Sequence, residues 1–273
     1  MKKQLKYSIN VLVKSNIWIA IATVSFYELS LLQNGKDFII DGNVPFLFFS
    51  TIFIYNIFQI LNHFNKKSTW TTKMDTSAKL IISISFIGTL ISFYFFDKQN
   101  FGLVLLSAAL SFIYLNPFSK SKTFNLRNFW FLKSIIVAVV WILLTVLLPL
   151  SSLEIAVDLR MVLFEKFLFI LGITIPYDIK DINIDKLDGV TTFANKFGIK
   201  VTKIVSVFIL IIGFILATFL FPKFILPITF TYAVTIILVS QLNENRCKLW
   251  YTFLIDGTII LYFFSLWTFL IID

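Results

Sequence analysis

The sequence predicts an all-α, polytopic membrane protein with nine transmembrane helices. Three observations carry that expectation. Of 273 residues, 58% are hydrophobic, the mean hydropathy is +0.87, and only 14% are charged, against about 25% in an ordinary soluble domain. Nine spans of about 20 residues would use about 180 positions. The remainder makes short connections, so a single domain over 1–273 is expected. A transmembrane barrel needs alternating polarity in stretches of about ten residues, whereas 80–96 and 135–150 are continuously apolar. Cys247, the single cysteine, excludes an intrachain disulfide framework and a cysteine-based metal cluster. Most of the 33 phenylalanines are expected to face lipid or pack between helices.

Apolar runs between charged or turn-rich breaks place the spans, in order, at 16–33, 45–62, 80–96, 101–117, 134–150, 164–177, 204–221, 224–241 and 250–272. The first follows Lys2, Lys3, Lys6 and Lys14, with no acid among them. It is too long for a cleavable signal and has no small-residue cleavage site after it. The sixth run is short and is expected to continue as a helix past the membrane surface at both ends. Alternate segments, starting with the N-terminus, hold 19 of the 24 Lys and Arg residues. The positive-inside rule therefore places the N-terminus and segments 63–79, 118–133, 178–203 and 242–249 in the cytoplasm, with Asp273 outside. The expected location is the plasma membrane of a bacterium. The net charge of +9 is then a topology signal. Its cations are spread over several loops and form no basic stripe, so no nucleic-acid partner is expected.

The chemistry is expected after the sixth run. On one helix at about 100° per residue, Asp178, Asp181 and Asp185 fall within roughly 60° of one another. Three carboxylates that close repel, and a cation that keeps them ionised is the natural counterpart. Oxygen ligands at this density suit Mg²⁺. A solvated charged face, with Lys180 and Lys186 interleaved, is the alternative reading of the same spacing. A second polar segment, 55–63, repeats the pattern at the end of span two. Tyr55 aligns with Tyr177, Asn56 with Asp178, Gln59 with Asp181 and His63 with Asp185, while Ile57 and Ile60 align with Ile179 and Ile182. Such a repeat predicts two facing helix ends of one site. Two acids inside apolar runs stand apart from these motifs. Partial solvation at the outer end of its span accounts for Glu28, and Asp256 is expected to pair with a loop cation.

Nine spans with a polar motif ending span two and an acidic motif ending span six resemble the UbiA superfamily of intramembrane prenyltransferases. The later motif continues with Gly189, Thr191 and Thr192 as in that family. Tyr114, Asn116, Pro117, Lys120 and Lys122 resemble its stretch after span four. The resemblance implies a ring of helices around a lipid-open cavity and transfer of an isoprenyl group from an allylic diphosphate to a small acceptor, with release of pyrophosphate. It implies Mg²⁺ held by Asp178, Asp181 and Asp185 as the catalytic and metal-binding set. Asn56, Gln59, His63, Tyr114, Lys120, Lys122, Lys180 and Lys186 are the implied diphosphate contacts, with Arg127 a further candidate. The chain departs from the family at its first motif, where Asn56, Gln59 and His63 stand in place of aspartates. Each substitution keeps a polar group and removes a negative charge. The departure opens an alternative, a noncatalytic relative that binds an isoprenoid or quinone.

Overall fold

A computed structural model describes residues 2–38, 40–65, 76–115, 130–151, 153–180, 182–183, 191–245 and 250–272. The described residues are helices joined by short connections. We number them α1 (Lys2–Lys14), α2 (Ile17–Gln33), α3 (Asn43–Asn65), α4 (Thr76–Phe95) and α5 (Phe101–Leu115). Next come α6 (Leu132–Leu150), α7 (Leu159–Thr174), α8 (Tyr177–Lys180), α9 (Phe193–Leu220), α10 (Ile225–Ser240) and α11 (Asp256–Ile272). Two stretches are π-helical, Leu143–Leu147 within α6 and Trp250–Ile255 leading into α11.

Each of the nine apolar runs coincides with one helix among α2 to α7 and α9 to α11. Their described lengths do not confirm nine spans. Among the described residues, six helices are long and apolar enough to cross a membrane, or seven if α1 and α2 together make one bent span. At 1.5 Å per residue, α7 reaches about 24 Å against a hydrocarbon core of about 30 Å. In addition, α7 carries Glu165 and Lys166 in its interior.

Packing follows chain order: α2 against α3, α3 against α4, then α5, α6, α7, α9, α10 and α11, each against the next. The segment 96–100 joins α4 to α5, and α11 returns to α2, which closes the circuit. Close approach depends on missing side chains. A Cβ on Gly172 of α7 would stand 2.7 Å from Leu210 of α9, and one on Gly88 of α4 would stand 2.6 Å from the Phe49 ring of α3.

The distribution of polarity suits lipid as the surrounding solvent. Leu80, Ile84, Ile87, Leu90, Ile91 and Tyr94 of α4 are exposed. Small hydroxyls lie inside, where Thr23, Ser30, Thr145 and Thr235 each donate to the carbonyl four residues back, at 2.6–2.9 Å. A hydroxyl buried away from water needs such a partner.

Two breaks shape one end of the bundle. Asn16, with φ 63° and ψ 13°, separates α1 from α2, whose axes differ by 71°. Pro176 separates α7 from α8. Proline has no N–H to continue the ladder, and the chain crosses the gap on three-residue bonds, Asp178 N to Ile175 O and Ile179 N to Pro176 O. The expected continuous helix leading from the sixth run into the acidic motif is therefore interrupted at 175–176.

Candidate functional site

The ends of α3 and α7 and the starts of α6, α9 and α11 meet at this end of the bundle. Asp178 is 1% exposed. Its Oδ1 accepts from Lys133 Nζ at 2.9 Å, and its Oδ2 accepts from the Phe193 N–H at 3.3 Å. Phe193 is the first residue of α9, whose initial N–H groups have no helical partners. Thr192 caps the same end by accepting from the Asn195 N–H at 3.3 Å. Asp178 thus binds a cation from α6 and adds negative charge where the α9 dipole favours it. Both of its oxygens are engaged.

Tyr177, one residue earlier, points to the other side. Its hydroxyl bonds Asp256 Oδ1 and lies 3.0 Å from the Tyr251 carbonyl oxygen. Lys180 Nζ stands 5.0 Å from the centre of the Tyr177 ring. The Asp256 carboxylate also interacts with the Lys180 charge. An ammonium over an aromatic face is attracted by the ring quadrupole.

The first polar segment makes a different set of bonds. Asn56 is buried, and its Nδ2 donates to the Ser15 carbonyl at 3.1 Å and to the Ile52 carbonyl at 2.8 Å. Gln59 Nε2 donates to Asn16 Oδ1 at 3.1 Å. Both amides tie α3 to the break between α1 and α2. Tyr55 lies near enough to Tyr177 for their side chains to interact electrostatically, so the two matched tyrosines do come together.

Other expected site residues lie beyond the description. Asp181, Asp185, Lys186, Lys120, Lys122 and Arg127 fall outside the described residues, as does Cys247. For His63 and Tyr114 only the helical backbone is described. Among the described residues no three His, Cys, Asp or Glu side chains gather as a metal centre. Carboxylates at Asp181 and Asp185 fit a hard divalent cation in kind. Asp178 accepts one bond at each oxygen, from Lys133 and from the Phe193 N–H, and a carboxylate so bonded keeps lone pairs for a cation.

Three groups, Lys133, Glu165 and Lys166, escaped the sequence reading, and Asp256 was seen without its partner. Lys133 counted only as a loop charge, although it is the ion-pair partner of Asp178. Asp256 pairs with Tyr177 and interacts with Lys180, which partly matches the loop cation expected for it. Glu165 and Lys166, counted respectively not at all and as a loop cation, form a fully buried ion pair at 2.7 Å. Tyr232 donates to Glu165 at 2.7 Å, and Lys166 Nζ lies 4.9 Å from the Tyr262 ring centre and 5.6 Å from that of Phe221. The available signal was two adjacent charges inside the sixth apolar run. Glu28 also differs from expectation, being 1% exposed within the packed bundle and not solvated at a helix end.

No protein-family model matches the sequence, and no curated protein matches it. Solved structures do. A UbiA homolog from Aeropyrum pernix K1, determined in its apo state, superposes with a TM-score of 0.62 at 12% identity, over 93% of this chain and 98% of the other. A structure of digeranylgeranylglyceryl phosphate synthase gives a TM-score of 0.55 at 16% identity, over 97% of this chain and 98% of the other. At these identities the likeness is one of fold. The helical circuit described above is a UbiA-type fold.

Proposed function

We propose, from a UbiA-type fold shared over nearly the whole chain, that this protein is a divergent intramembrane prenyltransferase of the UbiA superfamily. It transfers an isoprenyl group from an allylic diphosphate to a small acceptor. One observation supports the reading: in that fold, Tyr177, which opens the acidic motif, lies near its matched Tyr55 on α3. In the proposed orientation this end is cytoplasmic and the bilayer is that of a bacterial plasma membrane.

In the reaction the bond between the allylic carbon and the diphosphate oxygen breaks, both electrons leave with pyrophosphate, and the acceptor attacks the resulting cation and then loses a proton. Mg²⁺, when bound, supplies positive charge to the departing pyrophosphate. Asp178, Asp181 and Asp185 would hold it, with Lys133 bonded to Asp178 from outside the metal's shell. Lys120, Lys122, Lys180 and Lys186 add cationic charge for the diphosphate, and fixed charge aimed at a leaving group lowers the barrier. Gln59, His63 and Tyr114 are further polar contacts. Asn56 contributes through its carbonyl oxygen, since its amide nitrogen is engaged. Apolar helices exclude water, which would otherwise capture the cation.

A second reading has its own support. The amide nitrogens of Asn56 and Gln59 bond the α1–α2 break, and Asp178 bonds a lysine, as befits a noncatalytic relative that binds an isoprenoid or quinone. Purified protein incubated with allylic diphosphates of graded chain length separates the two. Mg²⁺-dependent pyrophosphate release is the expected result. Isoprenoid binding without release establishes the noncatalytic relative instead.

A further inference from the structure

Pro176 removes the backbone continuity that would make the acidic turn a rigid extension of α7. Side-chain bonds then tie its start to the neighbouring helices. Asp178 ties it to α6 and α9 on one side. On the other side the tie is Tyr177 to Asp256.

The receiving surface is specialised for that tie. Asp256 is 7% exposed and opens α11, and an acid at such a position is costly without a function. The preceding π-helical turn, Trp250–Ile255, departs from the regular ladder, and such turns recur at functional sites. Two carbonyls of this turn take side-chain partners from elsewhere. Tyr251 O lies 3.0 Å from the Tyr177 hydroxyl, and Phe253 O accepts from Trp18 Nε1 at 3.0 Å. The Trp18 and Phe253 rings stack at 4.4 Å, which fixes the turn to α2. Asp256 thus joins the acidic turn to a braced element.

We propose that Asp256 is a positioning residue for the transfer site. Through the Tyr177 hydroxyl it fixes the start of the acidic turn. The inference rests on the prenyltransferase reading and deepens it. Asp256 touches neither substrate nor metal in this proposal. Its effect falls on turnover, because misplacement of a catalytic group by about 1 Å costs up to about a hundredfold in rate.

The test compares the full chain in lipid nanodiscs with Asp256→Ala, Asp256→Asn, Tyr177→Phe and the Asp256→Ala/Tyr177→Phe pair. Turnover is normalised to folded protein measured by size exclusion. Asp256→Ala and Tyr177→Phe should each lower kcat by about 10- to 100-fold, with KM for the allylic diphosphate within about threefold of the parent. The double variant should be no slower than the worse single, since both remove one bond. Asp256→Asn, whose amide oxygen can still accept from the phenol, should restore kcat to within about threefold. A merely structural role would lower folded yield and leave kcat per folded molecule unchanged. That outcome, or additive losses in the double variant, overturns the proposal while leaving the activity in place. A parent that releases no pyrophosphate overturns both it and the prenyltransferase reading.

Discussion

At the end of α3 the motif's second position is Asn56, whose amide donates to the carbonyls of Ser15 and Ile52. At the matching position after α7 stands Asp178, which accepts from the Lys133 ammonium and the Phe193 N–H. Both side chains are buried and both hold a neighbouring helix end, with opposite chemistry. A carbonyl left at the α1–α2 break calls for a donor. An N–H left at the start of α9, beside a lysine, calls for an anion. The contrast gives Asn56 a reason to be neutral that does not depend on metal. An aspartate there would face two carbonyl oxygens. Loss of charge in the first segment is thus fitted to its local partners, whereas the second keeps its acid because a cation and a helix start reward it.

The comparison can be broken or sharpened by substitution, in descending order of effect. Asp181→Ala and Asp185→Ala, which remove two of the proposed metal-binding acids, should each lower Mg²⁺-dependent turnover by about 10²- to 10³-fold, the scale of losing one group that stabilises developing charge. Initial rates in nanodiscs would check this. Lys133→Met should cost about 3 kcal/mol of stability, at the low end for one-sided loss of a buried pair because Lys133 is 32% exposed. Lys133→Arg should recover most of it, and thermal unfolding in detergent reads both. Asn56→Asp should cost about 2 kcal/mol, more than Asn56→Ala, because it sets an acceptor against acceptors. If it were neutral, the account of the first segment would fail. Gln59→Ala should cost about 0.5–1 kcal/mol, since one bond is lost at an exposed side chain.

The helices were legible in the sequence because uninterrupted apolar runs such as 80–96 admit little else. What escaped was anything depending on two distant positions. Lys133 and Asp178 are 45 residues apart, and Tyr177 and Asp256 are 79 apart. Neither separation leaves a periodic trace. The acidic motif could be seen, but its helix was read as continuous although Pro176 stands at the break. Asn56 and Gln59 were visible as polar positions. Their roles were not, because the Ser15 carbonyl and the Asn16 amide become available only through the left-handed residue at Asn16. Glu165 and Lys166 were hidden in the run that also looked shortest, and their mutual neutralisation lets α7 remain packed inside the bundle.

The most direct test of the account is pyrophosphate release by the purified parent and by Asp181→Ala, side by side, over a Mg²⁺ titration with one allylic diphosphate that the parent binds. The account predicts release that rises with Mg²⁺ in the parent and stays at background in the variant. Equal release from both, or none from the parent, would contradict it.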